Sequence, residues 1–212
     1  MLAGVGCRGV RERADDLRRR RDDGSRMSRE DQAGAEAARP RIVVMGVAGA
    51  GKTTVGVRLA TELQVPFVDA DDLHSPENID KMSAGVPLTD EDRQPWLRAV
   101  GTELRRHPTG AVVACSALTR AYRDVIRQES PDARFVLLTA DQATLVARMS
   151  SRADHYLPVS LLDSQLRLLQ PLAPDEPGIA LEATAPIEEI ITGALREARV
   201  EPTSSEGVRL DG

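Results

Sequence analysis

Lys52 and Thr53 close the run Gly46-Val47-Ala48-Gly49-Ala50-Gly51-Lys52-Thr53, which reads GxxxxGKT, the P-loop pattern. The spacing has a chemical reason. Its glycines let the backbone turn tightly, so successive N–H groups point inward at a polyphosphate. The Lys52 ammonium then reaches the β- and γ-phosphates, and the Thr53 hydroxyl binds Mg²⁺. Gly46, Ala48, Gly49, Ala50, Gly51, Lys52, Thr53 and Thr54 are the expected phosphate-binding positions. ATP is the expected nucleotide, since no NKxD-type guanine-reading motif follows. A second reactive group is Asp69-Ala70-Asp71-Asp72-Leu73-His74. Carboxylates this close are costly to bring together unless a cation or a substrate uses them. One of them could position Mg²⁺ through water, and a second could accept the proton of an attacking hydroxyl. On a strand, Asp69 and Asp71 would face the same side and share a site. The competing reading is a solvated acidic turn that caps the next helix.

The flanking elements suit these roles. Arg41–Met45 reads as a buried parallel strand, and Val55, Leu59 and Leu63 repeat at helical spacing after Lys52. Strand, glycine loop and helix N-terminus together make an anion site. Pro66 stops the helix, and Phe67-Val68 begins a second strand. The acidic run thus falls at the C-terminal end of a parallel strand, where open α/β sheets bind ligands.

Ser75 and Pro76 read as N-cap and first residue of a helix that carries Asn78 and Lys81 and ends near Gly85. Another helix is expected to start near Pro95, with Trp96, Leu97, Val100 and Leu104 inward. Trp96 is then core. Arg93 either pairs with Asp90 or Asp92 or binds an anionic substrate group. His107 closes that helix with no chemistry assigned. Ala111–Cys115 reads as a third strand, and Cys115 as an inert buried thiol. Ser116 follows it, then a helix with Arg120, Tyr122 and Arg123, for which the plain reading of Arg123 is a surface salt bridge. Arg134–Leu138 is a fourth strand, and Asp141 caps the next helix. Arg148 and Arg152 project from one face of that helix, either toward nucleotide or simply into solvent. Ser160 reads as the cap of a helix with Leu162, Leu166 and Leu169 inward, Ile179–Leu181 as a fifth strand, and about 186–199 as a last amphipathic helix.

Short apolar runs alternating with helical periods imply a three-layer α/β fold with a parallel sheet. The 212 residues allow one domain of ordinary size. Aromatics are 2%, so the core must come from Leu, Val, Ile and Ala. The net charge of −5 and the lack of stacking aromatics argue against nucleic acid as a partner. No apolar run approaches the length of a membrane span. The two cysteines, Cys7 and Cys115, suit a reducing cytosol, so a cytoplasmic location is expected. Residues 1–40 hold few large apolar side chains and read as a disordered tail; Arg18–Arg21 could be a basic arm, but acids nearly balance it. Met27 is an alternative start. Residues 201–212 read as a flexible C-terminal tail.

The order of motifs is more specific than the P-loop alone. GVAGAGKTT, DADDLH, NIDKM, GVPLTDEDRQPWL and CSALTRAYRDVIR resemble the gluconokinase family, small P-loop kinases of shikimate-kinase-like fold that phosphorylate D-gluconate. That family commonly reads DGDDLHP, NIxKMxxGxPLxDxDRxPWL and CSALxxxYRDxLR. The resemblance runs from about Ile42 to about Leu195. It departs at Ala70 and Ser75, where the family has Gly and Pro, and at Ala153–Pro158, ADHYLP for KGHFMP or KGHYMP.

The resemblance implies a kinase domain over 41–200, with five parallel strands, a helical acceptor-binding insertion at about 75–107 and a short lid at about 152–160. It implies ATP, Mg²⁺ and D-gluconate as ligands, and the chain could assemble as a homodimer. Thr53 and Asp69 would serve the metal. Asp71 would orient the hydroxyl and act as base, with Lys52 and Arg152 stabilising the migrating charge. Arg148 would lie against the adenine. His74, Lys81, Arg93, Ser116 and Arg123 would join Asp71 in holding the sugar acid. The alternatives are a kinase of the same fold acting on shikimate or adenylylsulfate, and a nucleotide-binding regulator with no acceptor.

Overall fold

The computed structural model describes residues 40–150 and 159–198. The tails expected at 1–40 and 201–212, nearly all of the lid, and Arg152 lie outside the described residues, apart from position 40.

The sheet has five strands: β1 (Arg41–Met45), β2 (Phe67–Asp69), β3 (Ala111–Ala114), β4 (Arg134–Thr139) and β5 (Gly178–Glu182). Every pairing is parallel, and the order is β2-β3-β1-β4-β5. The central strand, β1, is buried from Ile42 to Met45. Its side chains alternate between two cores. Ile42 and Val44 pack with α1 (Lys52–Leu63), α5 (Gln142–Ser150), α6 (Val159–Leu168) and α7 (Ile187–Ala198). Val43 and Met45 pack with α3 (Asp90–Arg106) and α4 (Arg120–Glu129). This is the three-layer α/β arrangement expected from the alternation of elements. Each large core side chain, such as Leu59 or Leu104, contributes about 1.5–3 kcal/mol by leaving water.

The topology puts β3 on one side of β1 and β4 on the other. Connections therefore diverge at the C-terminal end of β1, which is where such sheets open a crevice for ligands. The loop Gly46–Gly51 begins at that point.

Several boundaries differ from the sequence reading. α3 starts at Asp90, not near Pro95. Thr89 and Asp92 form a reciprocal capping box, with Thr89 N–H donating to Asp92 Oδ2 (3.0 Å) and Asp92 N–H to Thr89 Oγ1 (3.2 Å). That cap nucleates the helix ahead of Pro95, which is accommodated inside it. α6 already includes Val159, so Ser160 lies within the helix and is not its cap. α2 (Pro76–Ser83) is as expected, with Ser75 Oγ accepting from Asn78 N–H at 3.3 Å. Asp141 caps α5 by accepting from Thr144 N–H at 2.8 Å.

Candidate active site

The loop between β1 and α1 is held open by its glycines. Gly46, Gly49 and Gly51 have φ of 143°, 79° and 93°, values that L side chains rarely adopt. A Cβ on Gly46 would stand 2.7 Å from Leu138 O, and one on Gly49 3.1 Å from Met149 Cγ, so the loop also lies tightly against β4 and α5. Gly51 is the N-cap of α1, and no side chain caps that helix. The first turn of α1, with the helix dipole behind it, therefore suits an anion. Lys52 Nζ folds back over the loop and donates to Val47 O at 3.1 Å. The N–H of the same peptide group, on Ala48, donates to Gln165 Oε1 on α6 at 2.7 Å. From behind, Gly46 N–H donates to Ser116 O at 3.4 Å, which places Ser116 against the start of the loop. Arg148 also stands near: Nη1 is 4.0 Å from the position of a Gly51 Cβ, while Nη2 donates to Ala183 O at 2.8 Å.

The acidic run converges on this loop by a different route from the one expected. β2 ends at Asp69, and Ala70–Leu73 form a 3₁₀ turn, so Asp71 is not on the strand. Asp69 Oδ1 caps the turn by accepting from Asp71 N–H at 3.2 Å. Asp69 Oδ2 accepts from the Thr53 hydroxyl at 3.4 Å. The cap, not strand alternation, brings the two carboxyls together. Desolvation and then the Asp69 charge push the Asp71 carboxyl above the usual aspartate range, while Lys52 and His74 pull it back. Asp71 is exposed, so solvent limits that shift. The donor set suits Mg²⁺. Thr53 and Asp69 offer hard oxygens only, and Mg²⁺ takes one or two carboxylates and completes its shell with phosphate oxygens and water. Among the described residues no group of three or more His, Cys, Asp or Glu could hold a metal by protein ligands alone.

Trp96 does more than fill the core. It is buried, its indole N–H donates to Ala70 O at 2.7 Å, and its ring stacks on His74 at 4.4 Å between centroids. The 3₁₀ turn is thereby pinned to α3. His74 Nδ1 is buried with no hydrogen-bond partner, and burial holds the imidazole below its ordinary pKa against the pull of Asp71. Beyond it, Arg93 donates to Asp90 Oδ1 and Tyr122 OH, both at 3.4 Å, and lies over the Tyr122 ring. The Tyr122 hydroxyl donates to Asp90 as well. Lys81 is bonded to Asp92 at 2.6 Å, which holds the Asp92 carboxyl below its usual range.

Arg123 is not where the sequence reading put it. It is neither a surface ion pair nor a substrate anchor: the residue is 0% exposed, and its guanidinium is spent inside the protein. Nε and Nη2 donate to the two oxygens of Glu176, and the remaining donors go to the carbonyls of Ala117, Leu118, Gln170 and Pro171. Cys115 is as inert as expected, with burial pushing its thiol up to about 12. Gln165 went unnoticed in the sequence. Its signal was present, since position 165 falls on the inward stripe between Leu162 and Leu169, where a polar residue needs a partner.

Known proteins share the sequence pattern and the fold of this chain. A family model described as shikimate kinase matches residues 48–170. The thermosensitive gluconokinase of Escherichia coli (strain K12) is 45% identical over 142 residues, 65% of this chain and 75% of that protein. The gluconokinase of Gluconobacter oxydans (strain 621H) is 41% identical over 167 residues, 77% of this chain and 94% of that protein. The crystal structure of a gluconokinase from Sinorhizobium meliloti 1021 superposes with a TM-score of 0.69 at 43% identity, covering 76% of this chain and 91% of that one.

Proposed function

The chain belongs to the gluconokinase family of P-loop kinases, and on that premise we propose that it transfers the γ-phosphoryl group of ATP to the terminal hydroxyl of D-gluconate, giving ADP and 6-phospho-D-gluconate. One observation carries the reading: the Thr53–Asp69 contact brings the nucleotide cradle and the acidic turn to a single place. A phosphoryl donor and a hydroxyl acceptor can meet only if such elements converge.

Lys52 and the amides from Gly49 to Thr54 hold the phosphates. Thr53, and Asp69 through water, would hold Mg²⁺, which when bound would neutralise phosphate charge. Asp71 orients the acceptor hydroxyl and takes its proton. The shift of its carboxyl is in the direction that helps, because a proton acceptor strengthens as its pKa rises toward the operating pH. Positioning contributes more than proton removal, since phosphoryl transfer passes through a loose transition state. Arg152 and Arg148 stabilise the transferring group and the nucleotide. His74, Arg93, Lys81 and Ser116 hold the sugar acid, with Arg93 as the cationic anchor for its carboxylate. Residues 75–107 serve as the acceptor-binding insertion and about 152–160 as the lid.

A coupled assay of ADP release with D-gluconate, shikimate and adenylylsulfate tests the proposal. D-Gluconate should stimulate turnover well above the other two. Stimulation by shikimate or adenylylsulfate instead would reassign the acceptor, and nucleotide turnover indifferent to all three would leave a regulator.

A further inference from the structure

The Val47–Ala48 peptide group is gripped at both ends. Its carbonyl accepts from Lys52 Nζ at 3.1 Å, and its N–H donates to Gln165 Oε1 at 2.7 Å. A trans peptide is planar, so its C=O and N–H point in opposite directions. Fixing one fixes the other. The peptide sits between Gly46 and Gly49, both at positive φ, where the backbone has the freedom to rotate a peptide plane. Lys52 cannot hold that plane by itself, because its ammonium hangs on a flexible stem of four carbons.

Gln165 is better suited to hold it. It is half-buried on α6, one helical turn from Leu162, which is fully buried. Only the oxygen of a carboxamide can meet an N–H, so the assignment of Oε1 to Ala48 follows from chemistry. We infer that Gln165 is a positioning residue for phosphoryl transfer: by accepting from Ala48 N–H it turns the Val47 carbonyl toward Lys52 and thereby fixes the ammonium where the γ-phosphate is handled. The inference rests on the P-loop reading above and adds a residue from a distant helix to it. Gln165 acts through Lys52 and makes no claim on the phosphates itself.

The acceptor function of Gln165 separates this role from simple packing. Gln165→Met keeps the volume and loses the acceptor; Gln165→Glu keeps the acceptor. Turnover with ATP and D-gluconate is measured for each, together with the affinities for ADP and for the non-hydrolysable ATP analogue AMPPNP. With the Val47 carbonyl no longer aimed at Lys52, Gln165→Met should lose about 10–100-fold in kcat. AMPPNP binding should weaken about tenfold more than ADP binding, because only AMPPNP carries a γ-phosphate for Lys52 to meet. Gln165→Glu should recover most of both. Gln165→Ser, too short to span to Ala48 and without added bulk, should repeat the methionine result; a serine variant that behaves as wild type would trace the methionine defect to a disturbed α6 and overturn the inference.

Wild-type behaviour in the methionine variant, equal weakening of ADP and AMPPNP, or tighter AMPPNP binding would each overturn the inference. So would a glutamate variant as defective as the methionine one. Wild-type protein that binds both nucleotides but ignores D-gluconate would sink the proposed function while leaving the nucleotide comparison to decide on Gln165.

Discussion

The Thr53 hydroxyl and the Asp69 carboxylate meet at 3.4 Å, although 16 residues separate them in sequence. One belongs to the first turn of α1 and the other ends β2, so the contact ties phosphate binding to the acidic turn. Asp69→Asn keeps the shape and removes the charge that draws a cation there. The variant should need about 10–100-fold more Mg²⁺ for half-maximal turnover, with the nucleotide still bound. Titrating kcat against Mg²⁺ at saturating ATP checks this, and an unchanged requirement would take Asp69 away from the metal.

Asp71→Asn should leave ATP affinity within a few-fold and lower kcat by about 10²–10⁴-fold, the range expected for losing an oriented proton acceptor. The pH dependence follows from the raised pKa of Asp71. Asp71 must be deprotonated to accept a proton, so activity falls as pH drops through a value above the ordinary aspartate range. Asp69→Asn removes the like charge, the second cause of the shift, while burial, the first, stays. The acidic limb of kcat/KM should therefore move to lower pH in Asp69→Asn without reaching the position of an ordinary aspartate. A limb that stays put or moves upward would mean that another group sets it.

What the sequence made legible was local. The strand, glycine loop and helix around Lys52 are contiguous, and period and spacing suffice to read them. The misreadings share a different origin. Strand alternation extended past Asp69 puts Asp71 on the strand, whereas the Asp69 side chain folds the next residues into a turn. Proline favours the start of a helix, which points to Pro95, but the Thr89–Asp92 box is the stronger signal and lies upstream. Arg123 reads as a surface residue in any window, because its partner Glu176 is 53 residues away. Gln165 meets Ala48 across 117 residues. Such partners are set by tertiary packing, which spacing does not encode.

Trp96→Phe isolates the bond from the indole to Ala70 O. Phenylalanine fills most of the buried site but offers no donor, which leaves the Ala70 carbonyl without its partner. The cost in stability should be about 1–3 kcal/mol, measured by urea unfolding. The larger effect should be on chemistry, since Ala70 opens the turn that presents Asp71. kcat should fall more than ATP affinity does. A variant that loses stability but keeps kcat would show that the turn holds its shape without this bond.

The buried pair of Arg123 and Glu176 should dominate the response of the fold to acid. Their side chains are 0% and 1% exposed, and Glu176 also accepts from Ala173 N–H at 2.9 Å. Arg123, the largest cause, holds the Glu176 carboxyl below its usual range. For a carboxyl whose pKa is lowered by folding, the stabilisation is fully present above the unfolded value, about 4.3, and is lost as pH falls through the folded value. Glu176→Gln should therefore cost about 3–5 kcal/mol at neutral pH, because it strands a buried guanidinium. The gap from wild type should narrow once the pH drops below the ordinary glutamate range, where wild type protonates too. Replacing both partners, as Arg123→Met with Glu176→Leu, removes the stranded charge and should return much of that loss. Urea unfolding of the three proteins at neutral and acidic pH decides it. A gap that stays constant with pH would show that Glu176 acts through packing, not charge.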